Sequence, residues 1–361
     1  MYILAIESSC DETSASIVEE NNGALKIKSN IIASQIETHR LYGGVVPEIA
    51  SRAHIEAISG ITYEALEVAG ITLSDVGLVA VTSHPGLIGA LLVGVNFAKA
   101  LASANGIPLV AVDHIKGHIA ASYLTDREPP KPPYLALVVS GGHTGIYHVT
   151  SYTDYEVIGS TRDDAIGESF DKIGRLIGIP YPAGAGFDRL SRDGFVAVAQ
   201  KEDGAYEEFG AHKINKQKDY RLPSPAIAGD TLDFSFSGLK TAAINLLHRY
   251  EQTGAEIERD VFAAAYTYEA VEAVAKKVEM ALDTYEGEEL VLAGGVAANS
   301  HLRHRLAYLC EKKNRKIHIP PLSLCGDNGA MIGAQGYYEY LAGNIANDAL
   351  NAHATSRHLS F

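Results

Sequence analysis

The sequence predicts an α/β protein with two similar halves. Short apolar runs rich in strand-forming residues alternate with segments of helical spacing, which is the pattern of α/β folds. A three-stranded meander opens the chain at Tyr2, and a similar meander begins at Tyr134. The run Pro129–Pro133, directly before the second meander, is typical of a stiff linker. We therefore expect an internal duplication with its boundary at this run.

The two meanders place polar or glycine-rich turns at equivalent positions. The predicted strands of the first meander are Tyr2–Glu7, Ser14–Glu19 and Leu25–Ala33, with the turn Ser8–Thr13 after the first strand. Those of the second are Tyr134–Val139, Gly145–Thr150 and Tyr155–Gly159, with the turn Ser140–Thr144 after the first strand.

The rest of the chain adds helices and further strands. We predict helices over Ile49–Ala69, Ala90–Asn105, Ala263–Tyr285 and about Asn299 to Lys313, and strands over Gly77–Ser83, Pro108–Val112 and Glu289–Ala293. The stretch Gly194–Pro225 is charged and lacks clear periodicity, so we expect a mobile insertion there. The expected lobes are residues 1–130 and 131–361. The last helix of the second lobe is a candidate to cross back to the first.

Composition excludes several classes of protein. The chain has 361 residues, 47% of them hydrophobic, and a net charge of −14, which argues against a free-standing nucleic-acid binder. Its three cysteines form no CxxC pair, which favours a reducing compartment. The start MYILAIESSC has no basic segment, and no long uninterrupted apolar stretch follows. We expect a cytoplasmic protein without a membrane span.

Three turns have the composition of phosphate or nucleotide sites. The turn Glu7–Thr13 carries hydroxyls and acids, and tight turns present backbone amides that can hold phosphate. In Ser140–Thr144 and Ala293–Asn299 a glycine pair follows an apolar strand, which lets backbone approach a ligand closely. Each also has an ordinary explanation, as a hairpin or, at Asn299, as a helix cap. Together they resemble the actin/Hsp70/sugar-kinase superfold, which implies two actin-like lobes with a nucleotide and metal cleft between them.

A pair of histidines suggests a metal site. His114 and His118 are four residues apart, so on a helix both imidazoles can share one face, which suits zinc or iron. Two unconnected helix histidines are the ordinary alternative. Ile115 follows the first histidine where a zinc peptidase would have its glutamate base. Asp327, in the loop Cys325–Met331, is either a helix N-cap or a third ligand.

Eight motifs, taken together, resemble one enzyme family. They are ESSCDET at Glu7–Thr13, PGLIGALLVG at Pro85–Gly94, HIKGH at His114–His118, SGGHT at Ser140–Thr144, GESFDK at Gly167–Lys172, FSFSGLKT at Phe234–Thr241, AGGVAAN at Ala293–Asn299 and CGDNGAM at Cys325–Met331. The chain is similar, from Ile3 to about Gly333, to the bacterial and organellar tRNA threonylcarbamoyladenosine transferases. These are relatives of the catalytic subunit of the KEOPS complex and were once called O-sialoglycoprotein endopeptidases.

The resemblance implies an activity, a site and partners. The family moves a threonylcarbamoyl group from L-threonylcarbamoyl-adenylate to N6 of the adenosine adjacent to the anticodon, in tRNAs that read codons beginning with A, and releases AMP. It implies one divalent metal ion, iron or zinc, on His114, His118 and Asp327, and an acidic catalytic pair, Asp11 and Glu12. The implied adenylate-binding residues are Val138, Val139, Ser140, Gly141, Gly142, Asp171, Gly184, Asp188 and Asn299. The implied partners are tRNA, a non-catalytic actin-fold paralogue, a small P-loop ATPase and an upstream threonylcarbamoyl-adenylate synthase.

Two departures and two alternative functions remain. The chain has His84-Pro85-Gly86 where the family often has Gly-Pro-Gly, and Pro182-Ala183-Gly184-Ala185 where it often has Pro-Gly-Gly-Pro. The second change lies in the predicted nucleotide loop. A metallopeptidase would use the histidines but needs an acidic base and no adenylate turns. A nucleotide-binding interaction protein of the actin fold would need no metal ligands.

Overall fold

Two five-stranded sheets form the framework of the computed structural model, which describes residues 1–125, 128–201, 220–225, 227 and 229–355. The strands are β1 (Tyr2–Glu7), β2 (Glu12–Asn21), β3 (Ala24–Ser34), β4 (Val76–His84), β5 (Leu109–Asp113), β6 (Tyr134–Val139), β7 (Thr144–Val149), β8 (Tyr155–Ser160), β9 (Glu289–Ala293) and β10 (Lys316–His318). The helices are α1 (Ile36–Arg40), α2 (Pro47–Ala69), α3 (Ile88–Asn105), α4 (His114–Ala120), α5 (Ile166–Leu176), α6 (Gly184–Lys201), α7 (Ser237–Thr253), α8 (Arg259–Thr284), α9 (Ser300–Lys312) and α10 (Gly329–Leu341).

The two sheets have the same topology. One has the strand order β3-β2-β1-β4-β5 and the other β8-β7-β6-β9-β10. In the first, β1 pairs antiparallel with β2 and parallel with β4. In the second, β6 pairs antiparallel with β7 and parallel with β9. The predicted duplication is therefore confirmed strand by strand.

The first unit comprises Met1–Pro132, Thr150–Asp154 and the chain from Pro320 onward. Its central strand β1 is apolar on both faces because helices cover both sides. Leu4 and Ile6 pack in one core cluster with residues of α2 and α3. Ile3 and Ala5, on the opposite face, pack in another cluster with residues of α10. The polar residues that follow β1 begin at its carboxyl end, next to the carboxyl ends of the parallel strands β4 and β5.

The second unit comprises Pro133–Val149 and Tyr155–Ile319. Its strand β6 is buried along its whole length. Helices α6 and α8 pack together, and Phe187 of α6 meets Tyr266 of α8 with ring centroids 5.8 Å apart. Phe170 of α5 joins the same aromatic cluster. The cluster fixes α5 and α6, which carry several of the predicted adenylate-binding residues.

The structure refines the sequence prediction in several places. The chain from Pro320 onward, which includes α10, the last helix and the candidate to cross back, belongs to the first unit, so residues 131–361 are not a single unit. Helix α6 continues to Lys201, so the first part of the proposed 194–225 insertion is helical. Lys213, Lys216 and Lys218 of that stretch lie outside the described residues. Helices α1, α5, α6 and α7 were not predicted.

Helix α3 is long and apolar enough to cross a membrane, judged by its 18 residues and mean hydropathy of 1.3 alone. Core helices of globular proteins share this property. Leu91, Val95 and Ala98 of α3 are fully or almost fully buried in the core cluster against the first sheet. Its apolar composition is therefore explained by packing.

Candidate functional site

The histidine pair lies at the start of helix α4, directly after strand β5. Asp113 caps this helix, because its Oδ1 accepts hydrogen bonds from the backbone N–H of Ile115 at 2.7 Å and of Lys116 at 3.2 Å. His114 and His118 share the buried face, with ring centroids 4.5 Å apart. The helical spacing predicted for the pair is confirmed.

Asp327 lies in the loop before helix α10. The helix cap is Asn328, whose Oδ1 accepts from the backbone N–H of Met331 at 3.0 Å. The alternative that Asp327 is the N-cap is therefore wrong. Asp327 Oδ1 instead lies 3.6 Å from Nε2 of His114 and 3.2 Å from Nε2 of His118.

These three residues fit a divalent metal ion. One ligand atom from each lies within 4.8 Å of the others. Ligand atoms of a tetrahedral zinc site are about 3.3 Å apart for bonds of about 2.0 Å. Both nitrogens of the His118 ring are buried, and among the described residues neither makes a hydrogen bond. A buried imidazole without a hydrogen bond, 3.2 Å from a carboxylate, is the arrangement that a shared cation satisfies.

The charged neighbours of His114 and Glu7 shift the pKa values of these two groups in the direction opposite to that caused by burial. Burial alone lowers the pKa of His114, but the carboxylates of Asp327 and Glu7 outweigh it and raise that pKa to about 9. Burial alone raises the pKa of Glu7, but the His114 imidazolium outweighs it and lowers that pKa. Sequence reasoning missed Glu7 as a separate site residue. The available signal was a charged residue that ends an otherwise apolar strand.

The acidic turn is part of the same unit. Burial, followed by the carboxylates of Asp327 and Asp11, raises the pKa of Glu12 to about 10. Burial also raises the pKa of the Cys10 thiol, with Asp11 the next cause. Asp11 itself is 9% exposed. The turn thus concentrates acid groups beside the Asp327 carboxylate, an arrangement that a cation would stabilise.

His54 of helix α2 is a second residue that sequence reasoning missed. It is completely buried and bridges the acidic turn, with Nε2 3.0 Å from the carbonyl oxygen of Cys10 and Nδ1 2.7 Å from Oγ1 of Thr13. Burial lowers the pKa of His54, which favours the neutral ring. A carbonyl only accepts, so Nε2 carries the proton and Nδ1 accepts from the Thr13 hydroxyl.

The predicted adenylate-binding residues lie in the second unit, where hydrogen bonds link their elements in series. The backbone N–H of Gly167 in α5 donates to the Ser140 carbonyl at 3.2 Å. The carboxylate of Asp171 in α5 accepts from the backbone N–H of Ala183 at 2.7 Å, which ties α5 to the start of α6. Asp188 in α6 accepts from the backbone N–H and the hydroxyl of Ser300, both at 2.8 Å.

The other predicted residues of this set end strands or begin helices. Val138 and Val139 are buried at the end of β6, and Gly141 and Gly142 are exposed in the turn that follows. Gly184 is the first residue of α6, and no atom lies within 4 Å of a Cβ placed there. Asn299 does cap α9, since its Oδ1 accepts from the backbone N–H of Leu302 at 2.9 Å.

Gly294 brings two strand ends together. It has a φ of +91°, and a Cβ there would lie 2.4 Å from the carbonyl oxygen of Val139. A side chain at this position is excluded by both space and backbone conformation. The glycine pair after β9 therefore lies directly against the end of β6, where the Ser140–Thr144 turn begins.

Two of the basic residues in or next to α9 form ion pairs. Nε of Arg305 lies 2.6 Å from Glu272, and Nζ of Lys313 lies 2.6 Å from Asp283. The Arg303 Nε–H donates to the Ala297 carbonyl at 2.5 Å. The two ion pairs reduce the positive charge that this surface presents to a nucleic acid, whereas Arg303 keeps its full charge.

Comparison with known proteins identifies relatives along nearly the whole chain. Residues 26–334 match the sequence profile of the family described as TsaD, tRNA N6-adenosine threonylcarbamoyltransferase. A protein of that name from Clostridium botulinum (strain 657 / Type Ba4) is 46% identical over 350 residues, which cover 97% of this chain and 96% of the relative. A protein of the same name from Clostridium perfringens (strain 13 / Type A) is 44% identical with the same coverage.

One solved structure supports the fold. Full-length HypF, in its phosphate- and nucleotide-bound form, aligns with 98% of this chain and 47% of its own length, with a TM-score of 0.50. The sequence identity is 14%, so the likeness concerns the fold alone. Together with the repeated sheet topology, it supports the predicted α/β fold of two actin-like lobes.

Proposed function

Because the chain belongs to the tRNA N6-adenosine threonylcarbamoyltransferase family, we propose that it uses L-threonylcarbamoyl-adenylate as the donor of the threonylcarbamoyl group. The acceptor is N6 of the adenosine adjacent to the anticodon in tRNAs that read codons beginning with A, and AMP is released. The observation that supports the proposal is the His114–His118–Asp327 cluster, which could hold a metal ion, in a chain whose relatives are named tRNA N6-adenosine threonylcarbamoyltransferases.

The second unit is proposed to hold the adenylate. The amides of the exposed Gly141 and Gly142 turn are suited to phosphate oxygens, as in other turn-based anion sites. Asp171, Asp188 and Asn299 hold the surrounding elements in place through the hydrogen bonds described above. Gly184 leaves open space at the start of α6, and the methyl group of Ala183, one of the two departures from the family pattern, is buried beside Gly174.

His114, His118 and Asp327 would hold the metal ion, iron or zinc. When bound, such an ion polarises a carbonyl group and stabilises developing negative charge. Two imidazoles and one carboxylate are a donor set that zinc and iron favour. The burial of both histidines keeps bulk water from these two ligands.

Proton transfer is assigned to the acidic turn. The adenine N6 amine forms a bond to the carbamoyl carbon, the bond from that carbon to the phosphate oxygen breaks, and N6 loses a proton. Asp11 is the proposed acceptor of that proton. In the metal-free protein, burial and the carboxylates of Asp327 and Asp11 raise the pKa of Glu12 to about 10, which favours its protonated form, so Asp11 is preferred as the base.

Partners are proposed to supply tRNA affinity. The net charge is −14, and phosphate-backbone affinity depends largely on lysine and arginine contacts. The actin-fold paralogue and the small P-loop ATPase are the proposed partners, and an adenylate synthase acts upstream, all in the cytoplasm. In a titration at two salt concentrations, we expect weak tRNA binding by this chain alone and salt-sensitive binding once the paralogue is present. Tight, salt-insensitive binding by the isolated chain contradicts this view.

A metallopeptidase is the weaker reading of the same histidines. A zinc peptidase of this type carries its glutamate base directly after the first histidine, where this chain has Ile115, and it has no use for the glycine-rich turns. A nucleotide-binding interaction protein would have no use for the metal cluster, so metal analysis of the purified protein separates it from the enzyme.

The function is tested by incubating the protein with tRNA, threonine, bicarbonate, ATP and the proposed partners. Mass spectrometry of the digested tRNA should reveal threonylcarbamoyl-adenosine at the position adjacent to the anticodon. Reactions that omit this chain, or use tRNAs for other codons, are the controls. Unmodified tRNA from the complete mixture, with adenylate synthesis verified, would refute the proposal.

A further inference from the structure

Glu7 is a buried carboxylate at the end of β1, and no step above uses it. Its exposure is 0%, and an ionised group is costly to bury unless partners compensate it. The backbone N–H of Ser9 donates to Oε1 at 2.5 Å, and the Thr82 hydroxyl donates to Oε2 at 2.5 Å. Nδ1 of His114 lies 3.2 Å from Oε2. Both oxygens are thus fixed by neighbours other than the histidine.

From this geometry we infer that Glu7 is a positioning residue of the metal site, which holds the proton of His114 on Nδ1 and directs Nε2 toward Asp327. The inference rests on the metal centre of the proposed function. Nδ1 lies against Glu7, and Nε2 lies 3.6 Å from Asp327 Oδ1, so the ring connects the two carboxylates. A proton on Nδ1 leaves the lone pair of Nε2 for a metal ion.

Ser9 is the competing neighbour of the same ring atom. Its Oγ lies 3.1 Å from Nδ1 of His114. A hydroxyl both donates and accepts, so it tolerates either tautomer of the ring. An ionised carboxylate only accepts, so it requires a proton on Nδ1. The tautomer is therefore determined by Glu7, and Ser9 provides the matched control.

The test compares Zn²⁺ affinity in wild type, Glu7→Gln and Ser9→Ala by competition with a chromophoric chelator. In Glu7→Gln the side-chain amide has two orientations. With its nitrogen at the Oε2 position it donates toward Nδ1 of His114 and favours the other tautomer. With its nitrogen at the Oε1 position it faces the Ser9 N–H, which is also a donor. We expect Zn²⁺ affinity to fall about 10- to 100-fold in Glu7→Gln and to stay within about threefold in Ser9→Ala. The thermal midpoint of each metal-free variant shows whether it is folded.

Each outcome distinguishes the inference from the function on which it rests. Wild type that binds no Zn²⁺ overturns the metal centre itself. Folded Glu7→Gln with wild-type affinity, or Ser9→Ala with an equal loss, overturns the role of Glu7 and leaves the metal centre standing. If Glu7→Gln does not fold, nitrogen-15 spectra of zinc-loaded wild type decide: we expect His114 to coordinate through Nε2 with its proton on Nδ1, and coordination through Nδ1 overturns the inference.

Discussion

The first turns of the two meanders occupy the same place in two sheets of identical topology, yet their chemistry differs. The turn after β1 is mostly buried, carries Asp11, is followed by Glu12 at the start of β2, and is bridged by His54. The turn after β6 has two exposed glycines. The duplicated backbone thus presents acid groups beside the His114–His118–Asp327 group in one unit and exposed glycine backbone in the other. Topology alone therefore does not determine the chemistry of a turn.

The strands could be predicted from sequence because their apolar runs are bounded by clear turns. β1, β6 and β9 have the predicted ends. Helix α5 was missed because Gly167, Ser169 and Gly174 weaken its local helical signal, although its buried face packs well. Tertiary packing, which local propensity does not contain, stabilises this helix.

The His114–His118–Asp327 site was predicted from histidine spacing and family resemblance, and in the structure one ligand atom of each residue lies within 4.8 Å of the others. The roles of Glu7 and His54 could not be predicted, because each depends on a contact between residues far apart in the chain. His54 and Cys10 meet only when α2 packs on the first sheet. The catalytic role of Asp11 and Glu12 remains a proposal, as does adenylate binding by the nine residues of the second unit.

The largest effect is expected for His118→Ala. The side chain supplies one of three ligands and is buried, so its loss should reduce metal content to a small fraction of wild type. Elemental analysis of purified protein measures this. His248→Ala, on the exposed part of α7, is the control and should retain full metal. Full metal in the His114/His118 double variant would show that these histidines are not ligands.

Asp11→Ala tests the acidic turn. A residue that accepts a proton contributes about 10²- to 10⁴-fold to turnover, so transfer should fall by that factor while the melting temperature is unchanged. Asp11→Asn keeps the shape and should lose activity similarly. Turnover within about threefold of wild type would remove Asp11 from the proton-transfer step.

A pair of glycine variants tests the second turn. Gly294→Ala should destabilise the protein by about 1–3 kcal/mol, because the added methyl group meets the Val139 carbonyl and the backbone is left-handed. Gly141→Ala meets no atom within 4 Å, so it should leave the melting temperature unchanged and weaken AMP binding. Thermal unfolding and AMP titration check both. Equal destabilisation by the two variants would contradict the described packing.

A smaller effect is expected for Glu12, which should make the free energy of unfolding of the metal-free protein depend on pH. Burial, Asp327 and Asp11 raise the pKa of Glu12 from 4.5 to about 10, so the folded state retains a proton that the unfolded state releases. This stabilising contribution is present below pH 4.5 and is lost as the pH rises toward about 10. Urea unfolding at about pH 6 and about pH 9 should show a larger fall in the free energy of unfolding for wild type than for Glu12→Gln. Equal falls would show that Glu12 is ionised in both states.

We propose that the His114–His118–Asp327 site of the first unit acts in transfer and that the glycine-rich turn of the second unit binds the nucleotide. The most direct measurement is AMP affinity and threonylcarbamoyl transfer in the same preparation of His118→Ala, with preformed L-threonylcarbamoyl-adenylate as donor. We expect AMP affinity within about threefold of wild type, since none of the proposed adenylate residues is changed, together with loss of transfer. Loss of AMP affinity in parallel with loss of metal, in a folded variant, would contradict it.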